Sequence, residues 1–235
     1  MSSCFAFVFA RGGSKGVPRQ NLQTVGGLTL VARSIVTAQQ TPGIDRVIVS
    51  TDDAEIAEQA AEYGADVPEL RPEYLSHDGA SELDAWKHAV GWFLDENGRP
   101  DFDIFMSVPP TAPLRTPDTL KQCLDLLDAD CDMVVTGSAS ARHPAFNMVS
   151  RDAQGFVGVA HPSASGVTRR QDTPPLYDLT TVAYVSRPNH ILNIGSVLEG
   201  RVKMLEVDRR SAIDIDDEFD LEVAQLLCNE EGNHE

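Results

Sequence analysis

A corner rich in glycine and positive charge lies near the start of the chain. Five residues with the sequence RGGSK, Arg11 to Lys15, follow directly after the apolar run FAFVFA (5–10). The two glycines permit a tight turn and a close backbone approach to a ligand, while the arginine and the lysine supply charge for phosphate oxygens. The stretch is neither a Walker A motif nor a G-x-G-x-x-G motif. It favours an anion site, and the alternative is a surface turn that carries two incidental cations.

A second candidate site lies in the segment IDIDD near the end of the chain. In an extended strand, Asp214 and Asp216 point to the same side. Two carboxylates beside a bound triphosphate can share one Mg²⁺, which keeps several waters and accepts few protein ligands. The alternative is that one aspartate caps the last helix, a role open to Asp216 or Asp217. We favour the metal because Ile213 and Ile215 alternate with the acids, as in a half-buried strand end.

The hydrophobic pattern predicts the elements that must position these two sites. Four short runs are continuously apolar, as strands covered on both faces are: FAFVFA (5–10), RVIVST (46–51), DIFMSV (103–108) and DMVVTG (132–137). Amphipathic stretches separate the runs, and two of them, SELDAWKHAVGWFLDEN and TPDTLKQCLDLLDAD, open with the helix-capping residues Ser81 and Thr116. This alternation predicts an α/β fold with a three-layer, mostly parallel, Rossmann-like sheet.

The alternation of strands and helices stops after about residue 138. Residues ~140–178 contain short β-like pieces, prolines, glycines and an arginine pair, but no clear helix. We interpret this segment as a β-rich arm inserted into one domain over residues 1–235, a length that suits a single core. The runs TTVAYVS and KMLEV then resume as strands, and a last helix is predicted from about Asp217 to Cys228.

Composition argues against several classes of function. The formal net charge of −17 disfavours a protein that coats nucleic acid, because phosphate backbones are held by clustered lysine and arginine. Four scattered cysteines without a C-x-x-C pair favour reduced thiols. No apolar run approaches the ~18 residues of a membrane span, and no signal-peptide pattern opens the chain. We therefore expect a cytoplasmic protein with neither nucleic acid nor membrane as a partner.

Six motifs in order resemble those of the acylneuraminate cytidylyltransferases, the CMP-sialic acid synthetase family, with the 3-deoxy-manno-octulosonate cytidylyltransferases as cousins. The motifs are ARGGSKGVPRQN, VIVSTDDAEIAEQAAEYGA, LRPEYLSHDGAS, PPTAPLR, RRQDTPPLY and IDIDDEFDLEVAQ. The resemblance covers essentially the whole chain. It implies a nucleotidyltransferase that joins a nonulosonic acid to CTP and releases pyrophosphate, with Mg²⁺ as cofactor. It also implies a homodimer formed through the arm.

The resemblance implies roles for individual residues. Arg11 and Lys15 would contact the triphosphate, and Asp216 would act with them in catalysis while it shares the metal with Asp214. The implied substrate-binding residues are Gly12, Gly13, Ser14, Asn21, Arg71, Ala80, Ser81, Arg170 and Gln171. Among these, Asn21, Arg71, Ala80 and Ser81 would read the cytosine and ribose, and the arginine pair would lie near the ligands of the partner subunit. For Arg71 the alternative is a surface arginine, and no residue stands out as a general base.

Departures from the family pattern concern the sugar side. Gln20 stands where the family usually has lysine, and Pro109 stands where it has glutamine. Asp178, Thr180 and Thr181 replace an arginine and an Asn-Gly pair. An anion in place of a cation should repel the carboxylate of a sugar. We therefore expect a modified nonulosonate, legionaminate- or pseudaminate-like, or a different acidic or amino sugar. A glycosyltransferase, or a nucleotide-binding regulator without turnover, is the alternative.

Overall fold

The computed structural model of the protein describes residues 2–77, 79–162, 169 and 173–231. In chain order the strands are β1 (Cys4–Phe9), β2 (Thr24–Val25), β3 (Leu28–Thr29), β4 (Arg46–Ser50), β5 (Ile104–Ser107), β6 (Met133–Ala139), β7 (Val149–Arg151), β8 (Val157–Val159), β9 (Tyr177–Ser186) and β10 (Val202–Glu206). The α-helices are α1 (Leu30–Gln39), α2 (Ala54–Glu62), α3 (Glu82–Gly91), α4 (Pro117–Leu126), α5 (Pro188–Asn193) and α6 (Glu218–Glu231).

Six of these strands form the central sheet, in the order β10–β6–β9–β5–β1–β4. The pairs β1–β4, β1–β5 and β6–β10 are parallel, whereas β9 runs antiparallel to both β5 and β6. The prediction of a mostly parallel, Rossmann-like α/β sheet is therefore confirmed. The four continuous apolar runs are β1, β4, β5 and β6, each within two residues of the predicted bounds.

The apolar run of β1 is continuous because alternate residues enter two different cores. Phe5 and Phe7 pack with Trp86 of α3 on one face of the sheet. Ala6 and Val8 pack on the opposite face with residues of α1, α2 and α4. Full burial of a large apolar side chain contributes about 1.5–3 kcal/mol, so a polar residue at any of these positions would be costly. Both faces of the sheet are thus covered, which gives the three layers.

The helices begin where their capping residues predict. The Ser81 hydroxyl accepts a hydrogen bond from the Asp84 N–H (3.3 Å), and the Thr116 hydroxyl accepts one from the Thr119 N–H (3.2 Å). Helix α3 ends at Gly91, so the amphipathic stretch that continues to residue 97 is helical over only part of its length. Within the described residues, no helix has the length and apolar character needed to cross a membrane.

The segment between β6 and β9 departs from the sheet. Among its described residues it contains the two-stranded antiparallel ribbon β7–β8 and no α-helix. Strand β9 already begins at Tyr177, one residue inside the predicted arm. Ribbon residues are exposed, and the Phe156 side chain that precedes β8 is 73% exposed. The division of residues 1–235 into one domain with an inserted arm stays a prediction.

Arg115 holds together three segments at the edge of the core. Its guanidinium donates to the Val182 carbonyl (3.1 Å), to the Ser34 hydroxyl (2.6 Å) and to the Pro109 carbonyl. Burial lowers the pKa of Arg115 to about 9. These three acceptors lie on three different elements, so the planar guanidinium fixes the turn after β5 against β9 and α1.

We predict that Arg115→Lys destabilises the protein by about 2–4 kcal/mol, because an ammonium cannot reach three acceptors in this planar arrangement and leaves some buried and unpaired. Urea denaturation followed by circular dichroism measures the loss. The control is Arg46→Lys, which alters an exposed ion pair to Asp66 (2.8 Å). Exposed pairs contribute about 0–1 kcal/mol. Equal losses in the two variants would contradict the role given to Arg115.

Candidate active site

The glycine-rich corner forms a loop at the carboxyl end of β1, where sheets of this kind bind ligands. Hydrogen bonds hold the loop at both ends. The Gly12 N–H donates to Asp52 Oδ1 (2.9 Å), and the Asn21 amide donates to the Arg11 carbonyl (2.8 Å). A Cβ on Gly12 would lie 2.6 Å from Asp53 Oδ2, so a side chain there would push the loop away from the sheet. The loop therefore has a defined course, unlike an incidental surface turn.

The loop also touches the acidic segment from the far end of the chain. A Cβ on Gly16 would lie 1.7 Å from the carbonyl oxygen of Asp216, so only glycine permits this approach. The Gln20 amide donates to the carbonyl of Ile215, and its oxygen accepts a hydrogen bond from the Ser14 hydroxyl (2.6 Å). The two motifs that the sequence singled out thus meet directly.

The acidic segment is extended, but it is not a strand of the sheet. One backbone hydrogen bond, from the Ile215 N–H to the Thr111 carbonyl (2.9 Å), ties it to the turn after β5. The predicted strand end is wrong in this respect, although the alternation is as expected. Ile215 is fully buried and Ile213 is half-buried, while Asp214 is directed to the other side.

Of the two aspartates that could cap helix α6, Asp216 and Asp217, the structure shows Asp217 in this role. Its side chain accepts hydrogen bonds from the N–H groups of Phe219 (2.9 Å) and Asp220 (3.1 Å). The Asp220 carboxylate reaches back to the Asp217 N–H (3.2 Å), which completes a reciprocal capping box. The carboxylates of Asp214 and Asp216 are therefore not used as the cap of this helix, and both line a cavity.

That cavity has a volume of about 450 Å³. Nine of the predicted site residues line it: Arg11, Ser14, Lys15, Asn21, Arg71, Ala80, Ser81, Asp214 and Asp216. Gly12 and Gly13 shape the loop without lining the cavity, and Arg170 and Gln171 lie outside the described residues. The structure brings the basic loop and the acidic pair into one space. The individual roles of these residues stay predictions.

The carboxylates in the cavity are poorly compensated. Asp214 Oδ1 is buried and accepts no hydrogen bond from the described part of the chain. Burial raises the pKa of Asp216, and the charges of Asp214, Asp220 and Asp217 raise it further. Carboxylate oxygens in this state suit a hard cation such as Mg²⁺. The described residues contain no cluster of three or more acidic, histidine or cysteine ligands, so such an ion would need phosphate oxygens to complete its shell.

Arg71 is a buried cation in the same cavity, which excludes the surface alternative. Its side chain is 5% exposed, and its nearest carboxylate oxygen, Asp52 Oδ1, lies 3.9 Å from Nη2. Arg71 Nε is buried and has no hydrogen-bond partner in the described part of the chain. Burial lowers the pKa of Arg71, although the charge of Asp52 acts in the opposite direction. A ligand with an oxygen acceptor would supply the missing partner.

Sequence reasoning missed Glu82, and the structure places Asp178 away from the cavity lining of the described chain. Glu82 lines the cavity on the first turn of α3, and burial raises its pKa, with a further contribution from Asp214. A glutamate at a helix start is so common that no pattern could have singled it out. Asp178 is exposed on β9 and is not among the cavity-lining residues of the described chain, so the expected repulsion of a sugar carboxylate is not supported.

Of the other residues that depart from the family pattern, three line the cavity and one is buried on β9. Thr181 and Pro109 line the cavity, and the Thr181 hydroxyl lies 3.3 Å from that of Thr111. Thr180 is buried beside the cavity and donates to the Thr136 hydroxyl (2.8 Å). Gln20 lines the cavity, and its side chain contacts Ser14 of the loop and Ile215 of the acidic segment.

A Rossmann-like sheet with a basic glycine loop and paired carboxylates in one cavity suits a nucleotidyltransferase, and the comparisons with known proteins identify that class. The cytidylyltransferase family model matches residues 5–91. A CMP-N,N'-diacetyllegionaminic acid synthase of Legionella pneumophila is 30% identical over 225 residues, 94% of each chain. A pseudaminic acid cytidylyltransferase of Campylobacter jejuni is 29% identical over 229 residues, 96% of this chain and 95% of the relative. The chain belongs to the acylneuraminate cytidylyltransferase family.

Two solved structures have a fold similar to that of this protein. The CMP:2-keto-3-deoxy-manno-octonic acid synthetase complexed with CTP has a TM-score of 0.72 and 17% identity to this protein. The match covers 98% of this chain and all of the other. A 4-diphosphocytidyl-2C-methyl-D-erythritol synthase of Anaerococcus prevotii has a TM-score of 0.65 and 15% identity, over 97% of this chain and 96% of the other.

If Asp214 and Asp216 hold Mg²⁺, then Asp214→Asn and Asp216→Asn should each lower turnover by about 100-fold or more, because an uncharged amide is a poor ligand for this ion. Pyrophosphate release at several Mg²⁺ concentrations measures the loss. The matched control is Asp217→Asn, the same change at the helix cap, where asparagine caps as well as aspartate. Near-normal turnover of the first two variants at limiting Mg²⁺ would refute the metal role.

Proposed function

We propose that this protein activates a modified nonulosonic acid of the legionaminate or pseudaminate kind, by transfer of CMP from CTP with Mg²⁺. The observation that carries the proposal is the single cavity in which the basic loop after β1 meets the carboxylates of Asp214 and Asp216. The two relatives described above are named for CMP-legionaminate synthesis and for pseudaminate cytidylyl transfer. The alternatives are another acidic or amino sugar, a glycosyltransferase, or a regulator without turnover.

In the proposed reaction the anomeric hydroxyl oxygen of the sugar attacks the α-phosphorus of CTP in line. A new oxygen–phosphorus bond forms, the α–β anhydride bond breaks, pyrophosphate leaves, and the hydroxyl proton passes to water or a base. Such a reaction needs positioning and charge stabilisation more than covalent help. Arg11 and Lys15 would neutralise the triphosphate while the loop backbone closes around it. Mg²⁺ held by Asp214 and Asp216 would supply positive charge for the phosphate oxygens.

The nucleotide end of the cavity has groups that suit a base and a ribose. Arg71 offers a buried guanidinium with an unpaired Nε, which a carbonyl or hydroxyl oxygen of a bound nucleoside can satisfy. Ala80 is small enough to let a flat ring lie close, and the Ser81 hydroxyl can donate while it accepts from the Asp84 N–H. We assign cytosine and ribose to this end.

We assign the sugar to the part of the cavity where Pro109, Thr111 and Thr181 supply uncharged lining groups. Thr111 and Thr181 present hydroxyls 3.3 Å apart, and Pro109 adds an apolar contact. Hydroxyls can both donate and accept, so they suit the amide and hydroxyl substituents of a modified sugar. This lining supports the choice of a modified sugar, and the panel of sugars described below tests which amide and hydroxyl substituents the protein prefers.

Thermal shift with four nucleotides tests the cytidine part of the proposal. We expect CTP to stabilise the protein more than ATP, GTP or UTP does, since ligand at ~100 times its Kd adds about 2.7 kcal/mol. Equal shifts for all four would remove the cytidylyltransferase assignment.

Pyrophosphate release from CTP and Mg²⁺ with a panel of sugars tests the sugar part. Legionaminate- and pseudaminate-type acids should exceed N-acetylneuraminate and 3-deoxy-manno-octulosonate in kcat/KM. A preference for N-acetylneuraminate would overturn the choice of sugar and leave the reaction class intact. No release with any sugar would favour a regulator.

We also propose a homodimer formed through the arm, because the arm carries exposed apolar residues that a second copy could cover. Phe156 is 73% exposed, Val157 is 64% exposed and Val149 is 59% exposed. Isolated two-stranded ribbons are marginal in water, and contiguous exposed apolar surface usually marks an interface. A partner arm would also bring Arg169 towards the neighbouring cavity.

Light scattering on two variants tests the dimer. Phe156→Asp places a charge in the proposed interface, so we expect a shift from dimer to monomer. Leu198→Asp is the control, since Leu198 is similarly exposed, at 60%, but lies outside the arm. A wild-type protein that is monomeric at micromolar concentration would refute the proposal, as would a dimer that both variants leave intact.

A further inference from the structure

The side chain of Gln20 bridges the two halves of the cavity. It is about nine-tenths buried and lies in the short 3₁₀ turn Gln20–Leu22 at the end of the glycine-rich loop. Its amide oxygen accepts a hydrogen bond from the Ser14 hydroxyl (2.6 Å), and its amide nitrogen donates to the Ile215 carbonyl. Ser14 and Gln20 belong to the loop, whereas Ile215 stands between the two cavity aspartates. One amide group therefore joins the loop to the acidic segment.

The acidic segment forms no strand of the sheet. Among the hydrogen bonds of the described residues, its backbone bonds to the chain outside the segment and α6 run from the Ile213 N–H to the Arg210 carbonyl (3.2 Å) and from the Ile215 N–H to the Thr111 carbonyl (2.9 Å). The Ile215 side chain is held in a small buried apolar cluster, while the Ile215 carbonyl is held by Gln20. Asp214 and Asp216 stand on either side of Ile215 and line the same cavity, and like charges so close repel each other. A fixed backbone between them opposes their separation. The Gln20 bond acts on the Ile215–Asp216 peptide group, one of the two peptide groups between these aspartates.

An amide suits this position because it donates and accepts at once. Glutamine has one oxygen acceptor and one NH₂ donor at its tip, which matches a hydroxyl on one side and a carbonyl on the other. A cation could donate to the Ile215 carbonyl but could not accept from Ser14. An apolar side chain of the same length could do neither and would leave buried polar groups unpaired, at a cost of about 1–3 kcal/mol each.

We propose that Gln20 is a positioning residue that couples triphosphate binding to metal binding: it holds the Ile215–Asp216 peptide group in register with the loop that binds the phosphates. This inference rests on the proposed function. With the bridge intact, the loop and the carboxylates present one preformed site to the metal–nucleotide complex. Without it, the nucleotide still binds the loop, but the carboxylates no longer stay where phosphate-bound Mg²⁺ needs them. The coupling between the two ligands is then lost.

Calorimetric titration with CTP, in EDTA and in excess Mg²⁺, tests the coupling without any sugar. The measured quantity is the ratio of the two dissociation constants. We expect Mg²⁺ to tighten CTP binding to the wild type by about tenfold or more, a usual size for such coupling. In Gln20→Met, which keeps the side-chain length but makes neither hydrogen bond, the ratio should fall to about two or three. Binding in EDTA should change little.

Gln23→Met is the matched control, because Gln23 donates to the Pro18 carbonyl (2.8 Å) in the same loop and does not line the cavity. It should keep the wild-type ratio. Gln20→Asn keeps the amide on a shorter side chain that reaches only one partner, and its ratio should be intermediate. If Gln20→Met does not fold, the ratio of dissociation constants measured for Gln20→Asn tests the proposal.

The outcomes separate this inference from the proposed function. A wild-type ratio in Gln20→Met and Gln20→Asn, with CTP bound normally, would overturn the coupling role and leave the proposed function intact. A proportional weakening of CTP in both buffers would also overturn it, since a merely structural role weakens binding without changing the ratio. A wild-type protein that binds CTP in neither buffer would overturn both.

Discussion

The structure of this site depends on one close contact, in which the backbone of the glycine-rich loop meets the backbone of the acidic segment. The contact requires that position 16 carry no side chain, because a Cβ there would overlap the Asp216 carbonyl. A small separate core supports it from below: Val17 of the loop and Ile215 of the acidic segment are buried together with Leu30 and Leu114. Burial of these apolar residues thus holds the basic loop beside the acidic segment, although the two segments lie nearly two hundred residues apart in the chain. Neither motif would form a site without the other.

This arrangement concentrates charge where water is partly excluded. Burial and neighbouring carboxylates raise the pKa of both Asp216 and Glu82, and burial lowers the pKa of Arg71. Each shift means that the charged form is less favourable in the folded protein than in water. The site without its ligands therefore carries unfavourable electrostatic free energy. A bound triphosphate and a divalent cation, as proposed, would supply the missing partners of both signs and would lower this unfavourable electrostatic free energy.

The sequence predicted the elements well where local chemistry decides them. Ser81 and Thr116 cap helices as expected, and the continuous apolar runs are the buried strands. Strand order and direction could not be predicted, since periodicity does not say that β9 inserts antiparallel between β5 and β6. The end of α3 was missed because Phe93 and Leu94 continue the apolar pattern of the helix, whereas the chain folds back beyond Gly91 and the Asp101 N–H donates to the Phe93 carbonyl (2.9 Å). The cap of α6 was ambiguous among adjacent aspartates until the hydrogen bonds of Asp217 were seen.

The effect of a residue that departs from the family pattern depends on what its side chain contacts. Gln20 and Asp178 both replace a cation and both suggested a changed sugar pocket, yet their surroundings differ. Gln20 joins the loop to the acidic segment through Ile215, so its replacement bears on how these two segments are held together. Asp178 is exposed on β9 and does not line the cavity of its own chain within the described residues, so charge repulsion there gives no reason to exclude a carboxylate-bearing sugar. Under the proposed function, neutral cavity groups such as Thr181 would discriminate among sugars through hydrogen bonds and shape. A pocket of that kind rejects a sugar by leaving its polar groups unpaired, and not by repelling its charge.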